Sequence, residues 1–543
     1  MTFTYTTIRK IFMLLIWFYL GFIPQNVAGQ GYPPYTVTGY SAASTGYYFL
    51  CPIKFGSNPN GIVPTHMILD EFGDVVYYKP FNNIGNTGDF KINQNGMITY
   101  SLDQKFYLLD STFYVVDSVL TPLGYLNDAH DFQLLPNGHI LMLALENIQM
   151  DLSSYNFFGI NHTNPGSATA IVKCGIVLEL DQNKNVIFEW HSKDHYDFED
   201  IDIAWCNNPN MVDWTHYNAI EMDSDSNLLV SSRHFNEITK INRTTGTIMW
   251  RLGGNANQFS FVNDPQMFKR QHDIRKLSNG NYTLFDNGDG SNSIPYHSAR
   301  GKEYLLNETL HTAELIWSYE NNPASYSTAM GSFGRKPGSV SIIGYGVNSN
   351  DEMIFTAVDD AGLTALEIEF DDVLWTYRAF HYDTLPWNLN RPIINCYFNG
   401  GQYYLDAGSG HASYMWSDGS TTQIIPVTTL DTFHVFVPKG EGGFISSEKF
   451  IVNDLSDPCG TVSVHELHKN IFNIYPNPVG DELILTFDVV TTIGWVKVTD
   501  LAGKELISME VQGGSRSVIN THGLSKGTYF VNYDGNVKRF VKN

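Results

Sequence analysis

The sequence is poor in charge and poorer still in positive charge. Charged residues make up only 16% of the 543, and 33 Lys and Arg face 56 Asp and Glu, for a formal net charge of −23. Such a surface repels phosphate backbones, so nucleic acid is excluded as a partner. Cysteine is also scarce. Cys51, Cys174, Cys206, Cys396 and Cys459 are spread without the paired spacing of a metal knuckle. An odd number leaves at least one thiol unpaired. Cys396 and Cys459 bracket one segment and could pair, although sequence leaves the connectivity open. Apolar runs long enough for a membrane span are missing, and no transmembrane segment is expected.

The longest apolar run lies at the start. Arg9 and Lys10 precede Ile11 to Ile23, and Val27-Ala28-Gly29 offers the small residues that a signal peptidase accepts. Residues 1–29 therefore read as a signal peptide, and a soluble, exported protein is expected.

Gly and aromatic residues are plentiful, which suits many short strands and turns. One phrase recurs with a histidine at its head: His130-Asp131-Phe-Gln-Leu-Leu-Pro-Asn137-Gly138, then His272-Asp273-Ile-Arg-Lys-Leu-Ser-Asn279-Gly280. A looser copy runs from His216 through Asn218 to Asp225-Ser-Asn. Each is a strand, a tight polar turn and a second strand, which is a β-hairpin signal.

A second phrase alternates with the first. Its copies begin near Met67, Tyr107, Leu178, Ile238, Tyr304 and Leu366, and the last four lead to Trp190, Trp250, Trp317 and Trp375. Two hairpins per period make four strands, the content of one propeller blade. The pattern predicts an all-β chain with a six-bladed β-propeller over residues 50–395. A plain β-sandwich ranks behind it, because a sandwich lacks this self-similarity.

Near residue 398 the texture changes. Tyr404-Leu-Asp406, Tyr414-Met-Trp416 and Phe433-His-Val-Phe predict a small β-sandwich over 398–455, and they resemble Ig-like modules of secreted bacterial proteins. The tail opens on Tyr475-Pro-Asn-Pro478 and continues through Asp500-Leu-Ala-Gly503-Lys and Leu524-Ser-Lys-Gly527-Thr-Tyr529. It resembles the type A C-terminal sorting domain of the type IX secretion system, over residues 472–543. That resemblance implies a β-sandwich, the type IX machinery as a partner, and a final place at the cell surface or outside the cell.

His130, His216 and His272 each head a strand expected to line the propeller channel. Asp128, Asp131, Asp213, Asn218 and Asp273 make the surroundings polar, and Ser231-Ser-Arg233-His234 adds a fixed cation. Three imidazoles and a guanidinium suit the binding and transfer of a tetrahedral anion. Arg offers bidentate donors, and neutral imidazole is a base and a nucleophile. His191, His195 and His234 are left as structural or unassigned.

Over roughly residues 120 to 380 the chain resembles the arylsulfotransferase family. The matching phrases are Asp128-Ala-His130-Asp131, Asp213-Trp-Thr-His216-Tyr-Asn218, Ser231-Ser-Arg233-His234, Gln271-His272-Asp273 and Phe285-Asp-Asn287-Gly288. Ser298-Ala-Arg300 and Ala329-Met-Gly331-Ser belong with them. The resemblance implies that His272 takes a sulfuryl group covalently, while His130, His216 and Arg233 bind the sulfate oxygens or move protons. It also implies a phenolic sulfate donor, a phenol acceptor, a ping-pong route, and no cofactor, metal or nucleotide sulfate. The stretch between the expected leader and the first expected strand is too short for the separate sandwich that the family carries before its propeller, so that domain is not expected here. Two rival readings stand beside this one: a zinc enzyme built on the three histidines, and a non-catalytic surface adhesin.

Overall fold

The computed structural model describes residues 31–543 except 55–57, 59, 83–86, 104, 160, 289–297, 323, 349–352, 461–471, 476–478, 488–493, 501–503, 512–515, 534–535 and 543. The expected leader and the Pro476-Asn-Pro478 phrase lie outside the described residues. The chain divides into two compact units, Met1–Asn390 with Val437–Ser446, and Arg391–Phe436 with Ser447–Asn543. The fold is all-β. Among the described residues, helix is limited to 3-10 turns of three residues, and no helix is long and apolar enough to cross a membrane.

Among its described residues the first unit contains six sheets in chain order, antiparallel except where Met211–Asp213 and Ser260–Val262 each add a short parallel strand. Four of them run Thr87–Ile92 to Val115–Leu120, Leu126–Leu134 to Val186–His191, Tyr217–Met222 to Ile248–Gly253, and His272–Lys276 to Thr312–Glu320. The other two borrow strands from far along the chain. Ser332–Gly334 to Thr364–Phe370 gains Tyr35–Tyr40 at its outer edge, and Phe380–Tyr382 pairs with Tyr47–Leu50 to begin the sheet that ends at Val75–Pro80. Gly443–Ser446 adds a further strand beside Val75–Pro80. The copy from Leu366 to Trp375 is therefore not a hairpin. Tyr35–Tyr40 takes the outer place, and Trp375 forms a lone bridge with Ile53.

The histidine-headed hairpins share one turn chemistry. Gly138 N–H donates to Leu135 O at 2.9 Å and Gly280 N–H to Leu277 O at 3.0 Å. Asn137 and Asn279 each accept the amide two residues on, at 3.0 and 2.9 Å. The turn requires positive φ, which Gly138 and Gly280 adopt at 80° and 92° and Ser226 must adopt at 66° in the third copy. Apolar clusters fill the space between successive sheets. Phe106, Phe132 and Leu178 form one, Leu143, Val177 and Val230 another, and Ile238, Trp250 and Leu284 a third. Burial between sheets holds each one in place.

In the second unit, Asn395–Asn399, Gln402–Asp406 and Ile424–Pro426 form a sheet, and a disulfide joins Cys396 to Cys459. Trp416 is buried and its Nε1–H donates to Thr422 O at 2.7 Å. The tail builds two sheets, of three and four strands. Leu483, Leu485 and Ile519 of one share a core with Val496, Val498, Val531 and Phe540 of the other, as in a β-sandwich. Cys51, Cys174 and Cys206 are buried free thiols.

Candidate active site

The inner strands of the first unit are bulged where the repeated phrase begins. Register shifts fall between Gly88 and Lys91, Tyr217 and Ala219, and His272 and Arg275, with a larger one opposite Met142 and Ala144. Asp89, His216 and Asp273 have φ of 53°, 47° and 60°. Bulges re-aim side chains, and here neighbouring residues serve two layers.

In one layer, the aspartates that follow Gly88, His130 and His272 meet on a single buried arginine. Arg378 donates to Asp89 and Asp131 at 2.9 and 3.0 Å, to Asn218 O at 2.9 Å, and lies 3.3 Å from Asp273. Arg275 pairs with Asp131 and Asp273 at 2.9 and 2.8 Å, and Lys91 with Asp89 and Asp131 at 2.6 and 3.0 Å. All three carboxylates are almost fully enclosed, so this knot is buried within the unit.

The histidines occupy the other layer. The His130 and His216 ring centroids are 4.9 Å apart, and His216 lies 4.5 Å from His234. His130 Nδ1 pairs with Asp128, and His216 Nδ1 with Asp213 at 2.6 Å. His234 donates from Nδ1 to Asp213 O at 2.5 Å, while its Nε2 accepts from Arg233 Nη1 at 3.0 Å. Its tautomer is thereby set as neutral. Arg233 also donates from Nη2 to Thr328 O at 2.7 Å, and its guanidinium sits 4.3 Å from the Trp205 ring centroid. Among the described residues its buried Nε has no hydrogen-bond partner, whereas buried donors are normally paired.

His272 stands apart in its partners. Its Nδ1 faces two acceptors, Arg270 O at 3.0 Å and Asn287 Oδ1 at 2.7 Å, and so carries the proton. Nε2 accepts the Met330 amide at 3.2 Å. The Ser327–Met330 segment thus touches both Arg233 and His272. Arg233, His216 and His130 all act electrostatically on His272, so the four expected residues lie close together. His130 and His216 keep 31% and 24% of their side-chain surface, whereas His272 is 1% exposed.

The environments push these groups apart. Burial works against charge on His130, but Asp128 and Asp213 outweigh it and hold its pKa above the ordinary value. At His216, burial together with His130 and Arg233 outweighs Asp213, and the pKa falls. Burial, with Arg233 next, drives His272 well below the ordinary range. Burial and the neighbouring Arg270 lower Arg233 to about 10, which leaves it charged near neutrality. The cluster therefore pairs one readily protonated imidazole with less readily charged ones and a cation. That set can supply acid, base, nucleophile and oxyanion donor together.

Two expectations change in detail. Asp131 and Asp273 do not line the cavity. They follow their histidines by one residue, and at these bulged positions their carboxylates turn to Arg378 instead. His234 enters the site as the link between Asp213 and Arg233, whereas His191 is held between Glu146 and Glu189 at 2.5 Å each, and His195 stacks on Trp190. Trp205, Tyr377 and Arg378 carried no signal of their own. They lie outside the repeated phrases, and only folding brings Tyr377 within 5.8 Å of His130.

Asp213, His216 and His234 have potential ligand atoms within 4.8 Å of one another. Both His234 nitrogens are already bonded, one of them to a guanidinium, so a cation there would have to displace Arg233. The donor set fits an anion better than a metal.

A sequence profile for arylsulfotransferase (ASST) matches residues 41–362, and one for the secretion system C-terminal sorting domain matches residues 473–543. No curated protein matches the chain significantly. Among solved structures, a protein of unknown function from Bacteroides caccae is 11% identical, with a TM-score of 0.39, covering 62% of this chain and 98% of its own. A virginiamycin B lyase from Staphylococcus aureus is 11% identical with a TM-score of 0.30, covering 68% and 94%. A streptogramin B lyase is 12% identical with a TM-score of 0.31, covering 68% and 93%. At such scores these likenesses carry no weight for the reading of the site.

Proposed function

The chain belongs to the arylsulfotransferase family, and from that premise we propose that it moves a sulfuryl group from a phenolic sulfate ester to an acceptor phenol through a sulfohistidine. Its sorting domain sends it through the type IX system to the cell surface or beyond. The observation that carries the chemical reading is the neutral His272, with Nδ1 protonated by its hydrogen-bond geometry and Nε2 free of any proton, beside Arg233 with an open buried donor.

In the first half-reaction, the Nε2 lone pair attacks sulfur and the aryl S–O bond breaks. Sulfur takes the place of the Met330 amide at Nε2. The departing phenolate takes its proton from His130, whose two nearby carboxylates favour the imidazolium. Arg233 stabilises charge on the sulfuryl oxygens. In the second half, the acceptor phenol gives its proton to His130 and attacks sulfur, and the N–S electron pair returns to Nε2. No nucleotide donor and no metal enter either step. The six sheets are taken as six blades over about residues 50–395, completed by Tyr35–Tyr40, Tyr47–Leu50 and Gly443–Ser446 from outside that range, with an Ig-like module drawn from 398–455 and the sorting domain from 472.

The test is incubation with a chromogenic aryl sulfate, followed by mass analysis of the peptide carrying His272. An added sulfuryl group that disappears on addition of phenol is the expected result. Absence of turnover with intact folding would favour a non-catalytic binding propeller instead.

A further inference from the structure

The three cavity histidines share one geometric device, a side-chain acceptor on Nδ1. For His130 and His216 the acceptor is a carboxylate, Asp128 and Asp213. For His272 it is the amide oxygen of Asn287, at 2.7 Å. The amide cannot turn over, because its Nδ2 donates to Ser327 Oγ at 3.0 Å and Met330 O at 2.9 Å and lies 3.4 Å from Ser327 O. Both Asn287 and His272 are buried, at 2% and 1% exposure. Arg270 O, from a residue in left-handed backbone at φ 55°, supplies the second acceptor.

We propose that Asn287 is a positioning residue that makes Nε2 of His272 the sulfuryl acceptor, by holding the proton on Nδ1 without giving the ring a charge partner. The inference rests on His272 being the nucleophile. It concerns why an amide stands where the sister histidines have carboxylates.

The chemistry favours an amide on both halves of the cycle. A carboxylate at this place would stabilise the imidazolium, and a protonated Nε2 has no lone pair to attack with. Once sulfur is bonded to Nε2 and hydrogen remains on Nδ1, the ring is formally cationic. A carboxylate would then stabilise the intermediate and slow its transfer, whereas a neutral acceptor fixes the ring and leaves the group labile. The groups acting on His272 from neighbouring strands are Arg233, His216 and His130, and each of them disfavours a proton there.

The experiment compares Asn287→Asp with the parent protein in first-turnover release from 4-nitrophenyl sulfate, across pH. An opposite charge at this distance typically raises a pKa by about one to three units. The acid limb of the Asn287→Asp profile should therefore move up in pH by at least one unit, with rates on that limb falling tenfold or more. Transfer from the sulfo-enzyme to phenol should also slow. An unmoved profile in a folded variant would overturn the proposal. Mass analysis separates this from failure of the functional reading: with no sulfuryl group on His272 in the parent protein, the nucleophile assignment itself falls. If Asn287→Asp does not fold, the 15N shifts of His272 in the parent protein decide. Protonated Nδ1 with bare Nε2 is expected, and the opposite tautomer would reject the role.

Discussion

His130 and His216 stand with ring centroids 4.9 Å apart, each on its own aspartate, yet their pKa values move in opposite directions. Asp128 and Asp213 both favour the charged form of His130. His216 then meets that charge, and the charge of Arg233, at close range. Adjacent imidazoles that both carried charge would repel, so the pair shares its protons unequally. In the proposed reaction that inequality gives His130 the acid's part and His216, less readily charged, the part of a hydrogen-bonding partner for sulfate oxygens.

The pH dependence follows with a definite sign. Donor cleavage requires His130 protonated and should decline as pH rises through its raised pKa. Asp128→Asn removes the charge that favours the imidazolium, so the falling limb should move to lower pH. The shift should be largest for donors whose phenol is a poor leaving group. Rates measured across pH for two aryl sulfates of different phenol acidity check this, and an unchanged limb would remove His130 from the acid's role.

His272→Ala should lose essentially all transfer while keeping its fold, because the covalent route itself is closed. Thermal melting alongside donor release provides the comparison. Full activity in this variant would reject the sulfohistidine route outright.

Arg233→Ala should leave a slow enzyme. Loss of one preorganised oxyanion donor typically costs about 10²–10³ in turnover. Arg233→Lys should recover only part, since a point charge cannot replace the fork that holds Thr328 O and His234 together. Equal activity of the lysine variant and the parent would mean that charge alone matters.

Removal of divalent metal should change nothing. Prolonged dialysis against a chelator is expected to leave turnover within error, because His234 already has both nitrogens bonded. Loss of activity that returns with zinc would revive the metalloenzyme reading.

Arg378→Met should destabilise the first unit by about 3–5 kcal/mol, since it leaves three buried carboxylates short of a partner. Denaturant unfolding measures this directly. A small change in midpoint would mean that Arg275 and Lys91 can neutralise the knot unaided.

Much of this was legible without coordinates. The repeated His-Asp phrase, the Asn-Gly turns and the alternating second phrase specify hairpins locally, because turn geometry and strand alternation depend on residues close in sequence. The same locality marked the four candidate residues, three of them through a shared place in the hairpin. Only tertiary structure could decide what arrives from elsewhere. Tyr35–Tyr40 and Phe380–Tyr382 complete sheets whose other strands lie hundreds of residues away, and no periodicity marks them. The split of His130 from Asp131 and of His272 from Asp273 depends on bulges and on Arg378, which arrives from the segment between Trp375 and the strand Phe380–Tyr382. Protonation is likewise a property of assembly. Asp128 and Asn287 are both plain polar residues in the sequence, and their different effects on two histidines arise only from burial, distance and the charges that folding brings beside them.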